Sequence, residues 1–168
     1  MTHDPRMSVR VVAPAPLHRL SAPLRALVAL VVKSQGRRAG EIGVRLTGDE
    51  ELRGLNLRWR GIDRATDVIS FAYDELEPDA GTRPVAGDLV LSMERVRAQA
   101  RRFRVSEGTE LARLVIHGTL HLAGHDHAKA PGRRAMRARE EAALRRAAPL
   151  RRRLDAALAP RARARPGR

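Results

Sequence analysis

The chain has 168 residues and a net charge of +14, from 33 basic against 19 acidic side chains. That length gives one domain a real core and is too short for two comfortable ones. With no cysteine there is no disulfide partner and no thiolate metal ligand, which fits a reducing cytoplasm; the best apolar run, Leu24 to Val32, contains Arg25 and falls far short of the ~20 residues that span a bilayer.

The N-terminus, M-T-H-D-P-R-M, lacks the basic-then-apolar order of a signal peptide, and residues 1–7 read as an extension with Met7 as a second candidate start. Aromatic residues are scarce (Trp59, Phe71, Tyr73, Phe103), so aliphatic side chains must fill the core. Ser8 to Ala13 is β-branched and reads as a strand. Leu17, Leu20, Leu24, Leu27, Val28 and Val31 recur at helical spacing, which predicts a helix over Leu17 to Lys33. Glu41 to Leu46 alternates as a strand. Thr47-Gly-Asp-Glu50 reads as a capping box that opens a helix through Trp59. Trp59 is the one obvious base-stacking candidate, although the core is its more ordinary place.

Asp67 to Tyr73 reads as a strand, Asp74 to Ala86 as a loop and Asp88 to Leu91 as a strand. Ser92 and Ser106 can each cap a helix; the second helix should end at Gly124. Pro131 to Ala148 reads as a last helix. The class is α+β: a single domain with one mixed sheet of four to five strands and about five helices. The domain runs over 8–149, and 150–168 is a basic Arg/Ala-rich tail, partly disordered. From Arg133 to Arg168 there are thirteen arginines against three acids, a net of +10 (13 − 3). A field of that sign attracts polyanions, nucleic acid first, while the tail past Pro160 also reads as merely solvated.

Four of the six histidines crowd into Ile116 to His127, I-H-G-T-L-H-L-A-G-H-D-H. His117 and His121 lie one helical turn apart on one face. Gly124 lets the chain turn back, and His127 arrives as a third ligand. Three His ligands leave one tetrahedral position open, the layout of a catalytic zinc site at the end of a central helix. Asp126 is placed to orient a ligand imidazole, and His125 to face the ligands or the substrate. The spacing is also that of the long zinc-peptidase signature, but the general-base Glu after the first His is here Gly118.

H-G-T-L-H-L-A-G-H-D-H resembles the signature H-G-x-L-H-L-x-G-Y-D-H of the bacterial YbeY family of rRNA maturation factors, single-domain metal-dependent endoribonucleases. Asn56 to Phe71 is similar to that family's N-x-x-[aromatic]-R…T-D-V-L-S-F segment, and Ala86 to Ser92 to its G-D-I-x-I-S strand. The resemblance spans roughly Val9 to Leu144, and His125 replaces the family's usual Tyr. It implies zinc on His117, His121 and His127 and a functional Arg60, whose planar guanidinium suits the oxygens of a phosphodiester. Asp67 and Asp88, at strand starts, are candidates for ordering the site. The implied activity is single-strand-specific RNA cleavage in small-subunit rRNA 3′-end maturation and ribosome quality control. Ribosomal small-subunit proteins are possible partners. Two other readings stand beside it: a zinc peptidase, and a non-enzymatic assembly factor with structural zinc.

Overall fold

The computed structural model describes residues 8–73, 84–125 and 130–160. A four-stranded sheet runs in the order β1 (Ser8–Val12), β2 (Ala39–Thr47), β4 (Val85–Ser92), β3 (Val68–Ala72). The first three of these are mutually parallel, and β3 runs antiparallel to β4. Six α-helices accompany it among the described residues: α1 (Ser21–Ser34), α2 (Asp49–Arg60), α3 (Met93–Phe103), α4 (Glu107–Leu122), α5 (Ala130–Arg146) and α6 (Ala148–Leu158). The α+β class and the mixed sheet are as expected, with one helix more than expected.

The additional helix is α6. Pro149 does not close the domain; it sits in the first turn of α6, where its missing N–H costs nothing. Leu154 is fully buried, and Asp155 Oδ1 accepts the Gly108 amide at 2.8 Å, satisfying an end of α4. The core therefore continues past the expected boundary at 149, to Leu158. Residues 1–7 and 161–168 lie outside the described residues.

Three local expectations are corrected. The helix expected from Leu17 opens as a 3-10 turn, Leu17–Leu20, because the ring of Pro23 obstructs an α-helical approach to the carbonyl four residues back. The capping box does not form: Thr47 Oγ1 donates to Glu51 at 2.7 Å, and the Asp49 amide is taken by Glu94 from α3 at 2.9 Å. The last strand starts at Val85, not Asp88. Its first half, Val85 to Asp88, carries a glycine and looks like a loop, but β2 and β3 flank it, and that pairing is non-local.

One face of the sheet carries the main core. Leu24, Leu27, Val28 and Val31 of α1 meet Leu111, Leu114 and Val115 of α4 and Leu89 and Leu91 of β4. Burial of this much aliphatic surface is the main driving force, at about 1.5–3 kcal/mol for each fully buried side chain. The other face holds a smaller cluster, in which α2 contributes Leu52 and Leu55 against Ile69, Phe71 and Val90.

Candidate active site

Helix α4 is buried almost all round. Its N-cap Ser106 accepts the Thr109 amide at 3.1 Å, as its sequence position led us to expect. The half-exposed positions Arg113, His117 and His121 are four apart and form one polar stripe on an otherwise apolar rod. The stripe meets β3 and the end of α2 in a polar cavity of about 320 Å³, lined by Arg60, Asp67, Ser70, His117, His121 and Leu122 among others.

The two imidazoles converge. His117 Nε2 and His121 Nε2 are 3.1 Å apart, with the rings edge to face at 4.7 Å between centroids. Two nitrogens on one tetrahedral zinc, each at ~2.0–2.1 Å, stand roughly 3.3 Å from each other. The pair therefore fits a shared cation. On the far side, His117 Nδ1 meets Glu140 Oε1 of α5. A carboxylate there selects the Nδ1–H tautomer and leaves Nε2 as the lone-pair donor. Sequence reasoning missed Glu140, which lies 23 residues from His117. Only its place on a helix after the histidine turn could have suggested it. Among the described residues no three His, Asp or Glu side chains are grouped to hold a metal. The third expected ligand, His127, and Asp126 lie outside the described residues.

Arg60 is held at the end of α2. Gly61 takes a left-handed conformation, φ +69°, which the helix end requires and a side chain would strain. The Gly61 and Ile62 amides return to Leu57 and Asn56 at 3.0 and 3.3 Å. The following loop is tied down by Asn56 Nδ2 to the Arg64 carbonyl, 2.7 Å, and by a two-armed Arg53–Asp63 pair. Arg60 thus enters the cavity from a fixed terminus.

Asp67 belongs to the same cavity. Its Oδ1 accepts the Val68 amide at 2.8 Å and its Oδ2 accepts Gln99 Nε2 at 3.1 Å. Gln99 in turn takes Arg113 Nη2 at 3.3 Å, and Arg113 grips the buried Glu110 with two bonds, 3.0 and 2.7 Å. The Glu110 contact holds the Arg113 guanidinium charged, above its ordinary range. This chain of bonds ties β3, α3 and α4 together directly behind His117. Ser70 also reaches the site, donating to the Gly118 carbonyl at 3.4 Å.

Two candidates sit elsewhere. Asp88 lies on the opposite face of the sheet, where it accepts the Tyr73 hydroxyl at 2.6 Å. That contact pushes the Tyr73 phenol up to about 12. The reason is the strand period: Asp88 pairs with Phe71, while the cavity side of β3 is Val68, Ser70 and Ala72. His125 is engaged by Gln35, Nε2 to Oε1 at 2.9 Å, and Arg139 bonds the same oxygen at 3.0 Å. Burial, then Arg139 and Arg37, pushes its imidazole below the usual range.

Gly118 explains the missing peptidase base. A Cβ there would stand 2.8 Å from Leu89 Cδ2 and 3.1 Å from Ser70 Oγ. The sheet packs closely on α4 at the position where a zinc peptidase carries its Glu, and a side chain there would require the Leu89 and Ser70 side chains to shift.

A buried, sheet-backed helix thus presents paired imidazoles beside an arginine in one polar cavity. Comparison with known proteins narrows the class. The family described as "Endoribonuclease YbeY" matches residues 14–148. A protein named endoribonuclease YbeY from Anaeromyxobacter sp. (strain Fw109-5) is 42% identical over 142 residues, covering 84% of this chain and 72% of that one. The protein of the same name from Chloroflexus aurantiacus is 43% identical over 122 residues, 70% of this chain and 79% of its own. A solution structure from Thermotoga maritima superposes with a TM-score of 0.64 at 24% identity, covering 94% of this chain and all of the other, a likeness of fold. The chain belongs to the YbeY endoribonuclease family.

Proposed function

We propose that this protein is a metal-dependent endoribonuclease that cuts single-stranded RNA, acting in the cytoplasm on the 3′ end of small-subunit rRNA and in ribosome quality control. The observation that carries the reading is the pair of imidazole nitrogens 3.1 Å apart in a cavity that Arg60 also lines, in a chain of this family.

His117, His121 and His127 would hold the ion, with zinc the choice for three imidazoles and an open position. When bound, zinc supplies Lewis acidity and makes a nucleophile available at neutral pH. The protein's own groups do the rest. Glu140 keeps His117 in the tautomer that offers Nε2. The Arg60 guanidinium meets two nonbridging phosphoryl oxygens as negative charge builds on them. Asp67, already holding the Val68 amide and Gln99, fixes the strand that floors the cavity. The net charge of +14 draws RNA in, and contact with ribosomal small-subunit proteins would add site selection.

The peptidase reading is disfavoured because Gly118 stands where that signature carries its general-base Glu. The test is cleavage of a single-stranded rRNA 3′-end fragment. Arg60→Ala should slow it on the order of 10²-fold or more, as loss of a transition-state donor does. A 2′,3′-cyclic phosphate on the product would assign attack to the neighbouring 2′-hydroxyl; a 3′-hydroxyl with a 5′-phosphate would assign it to water. RNA that is bound and never cut by wild type would move the assignment to an assembly factor.

A further inference from the structure

The open face of the sheet carries a second surface. Trp59, whose ordinary place would be the core, is 61% exposed. Its ring stands edge-on to Phe71, with centroids 5.8 Å apart, and the Arg58 guanidinium lies 5.5 Å from its centroid. Beside it runs a groove of about 520 Å³, lined by Arg10, Arg45, Leu55, Phe71 and Asp88 among others. Helix α2 covers only part of this face.

The charge at the indole end of the groove favours an anion. Glu51 and Arg45 pair at 3.0 Å and offset each other, Asp88 accepts the Tyr73 hydroxyl and stands against Arg10, and Arg58 beside Trp59 leaves a net positive charge there. Arg10 lines the groove, and Arg58 adds its charge at the indole. An exposed indole flanked by arginines offers a flat π-face and phosphate counter-charge together, which is what single-stranded RNA asks of a protein.

The groove and the cavity also meet at one helix end. Trp59 and Arg60 are consecutive residues in the last turn of α2 and point about 100° apart. Arg60 therefore faces the histidines while Trp59 faces the groove. We propose that the C-terminal end of α2 is where the RNA strand crosses the edge of the sheet, one phosphate at Arg60 and a flanking base stacked on Trp59, the strand continuing along the Arg10–Arg45 groove. This rests on the endoribonuclease reading of the cavity and adds to it a positioning residue for the substrate.

Trp59 is the chain's one tryptophan, so its emission reports a single site. The full-length protein is titrated with an end-labelled single-stranded RNA, following label anisotropy and tryptophan emission in the same cuvette. Emission should be quenched in step with the anisotropy. Trp59→Ala should weaken binding about 5- to 150-fold, the range of one base–aromatic stack, without changing the salt slope. Trp59→Phe, which keeps a ring and the Phe71 contact, should recover most of the affinity. Arg10→Ala should lower the salt slope by about 1. If anisotropy reports binding while emission stays flat, or if Trp59→Ala binds as wild type, stacking is overturned, the groove belongs to another partner, and the cavity reading stands. If wild type binds no RNA at all, both are overturned.

Discussion

The two faces of the sheet are built to different standards. The face under α4 is closed: a methyl at Gly118 would press on the side chains of Leu89, Ser70 and Val68. The opposite face has a five-residue cluster, an exposed indole and a groove. The proposed metal and phosphoryl chemistry would tolerate little error in position, and the histidines stand on the closed face. A single strand that must enter and leave is served better by an open, basic and aromatic one. Helix α2 joins the two, with Arg60 on one side and Trp59 on the other.

The contrast can be broken most severely at Gly118. Gly118→Glu would install the peptidase base, and it should instead unfold the closed face, lowering stability in chemical denaturation by about 4–5 kcal/mol. A folded variant that cleaves peptides would refute the packing argument. Ile116→Ala, at a fully buried position of α4, should cost about 2–5 kcal/mol. Trp59→Ala should cost only about 0.5–1.5 kcal/mol, the worth of its edge contact with Phe71. Equal losses at the two positions would erase the distinction between the faces.

Glu140 sharpens it within the site. Glu140→Gln keeps the shape and removes the charge that orients His117, and it should weaken zinc binding about 10- to 100-fold in a competition titration. Unchanged affinity would reduce the contact to packing. The smallest effect is on the open face. Tyr73 should titrate near 12 by tyrosinate absorbance, and Asp88→Asn should bring it back toward 10. Because the folded value is raised, the contact stabilises fully below about pH 10, and its contribution is lost between about pH 10 and 12. Tyr73 is more than half exposed, so the loss should be visible in absorbance and barely so in melting.

Local signals in the sequence carried much of this. Ser92 and Ser106 cap their helices as their positions suggest, and the four-residue spacing of His117 and His121 does put both nitrogens at one point. The features that escaped are non-local. Nothing near His117 announces Glu140, which arrives from another helix. The strand period sent Asp88 to the wrong face for the cavity, although its position in the chain looks equivalent to that of Asp67. Leu150 and Leu154 keep a helical repeat inside a run of arginines, and composition alone hid α6 behind its charge. Among the described residues no helix is long and apolar enough to cross a membrane.

The most direct test of the account is cleavage of a single-stranded rRNA 3′-end fragment by protein purified without a metal-affinity column, in three arms: wild type, wild type with chelator, and His121→Ala. The account predicts that untreated wild type alone cuts. His121→Ala cutting as fast as wild type would contradict it.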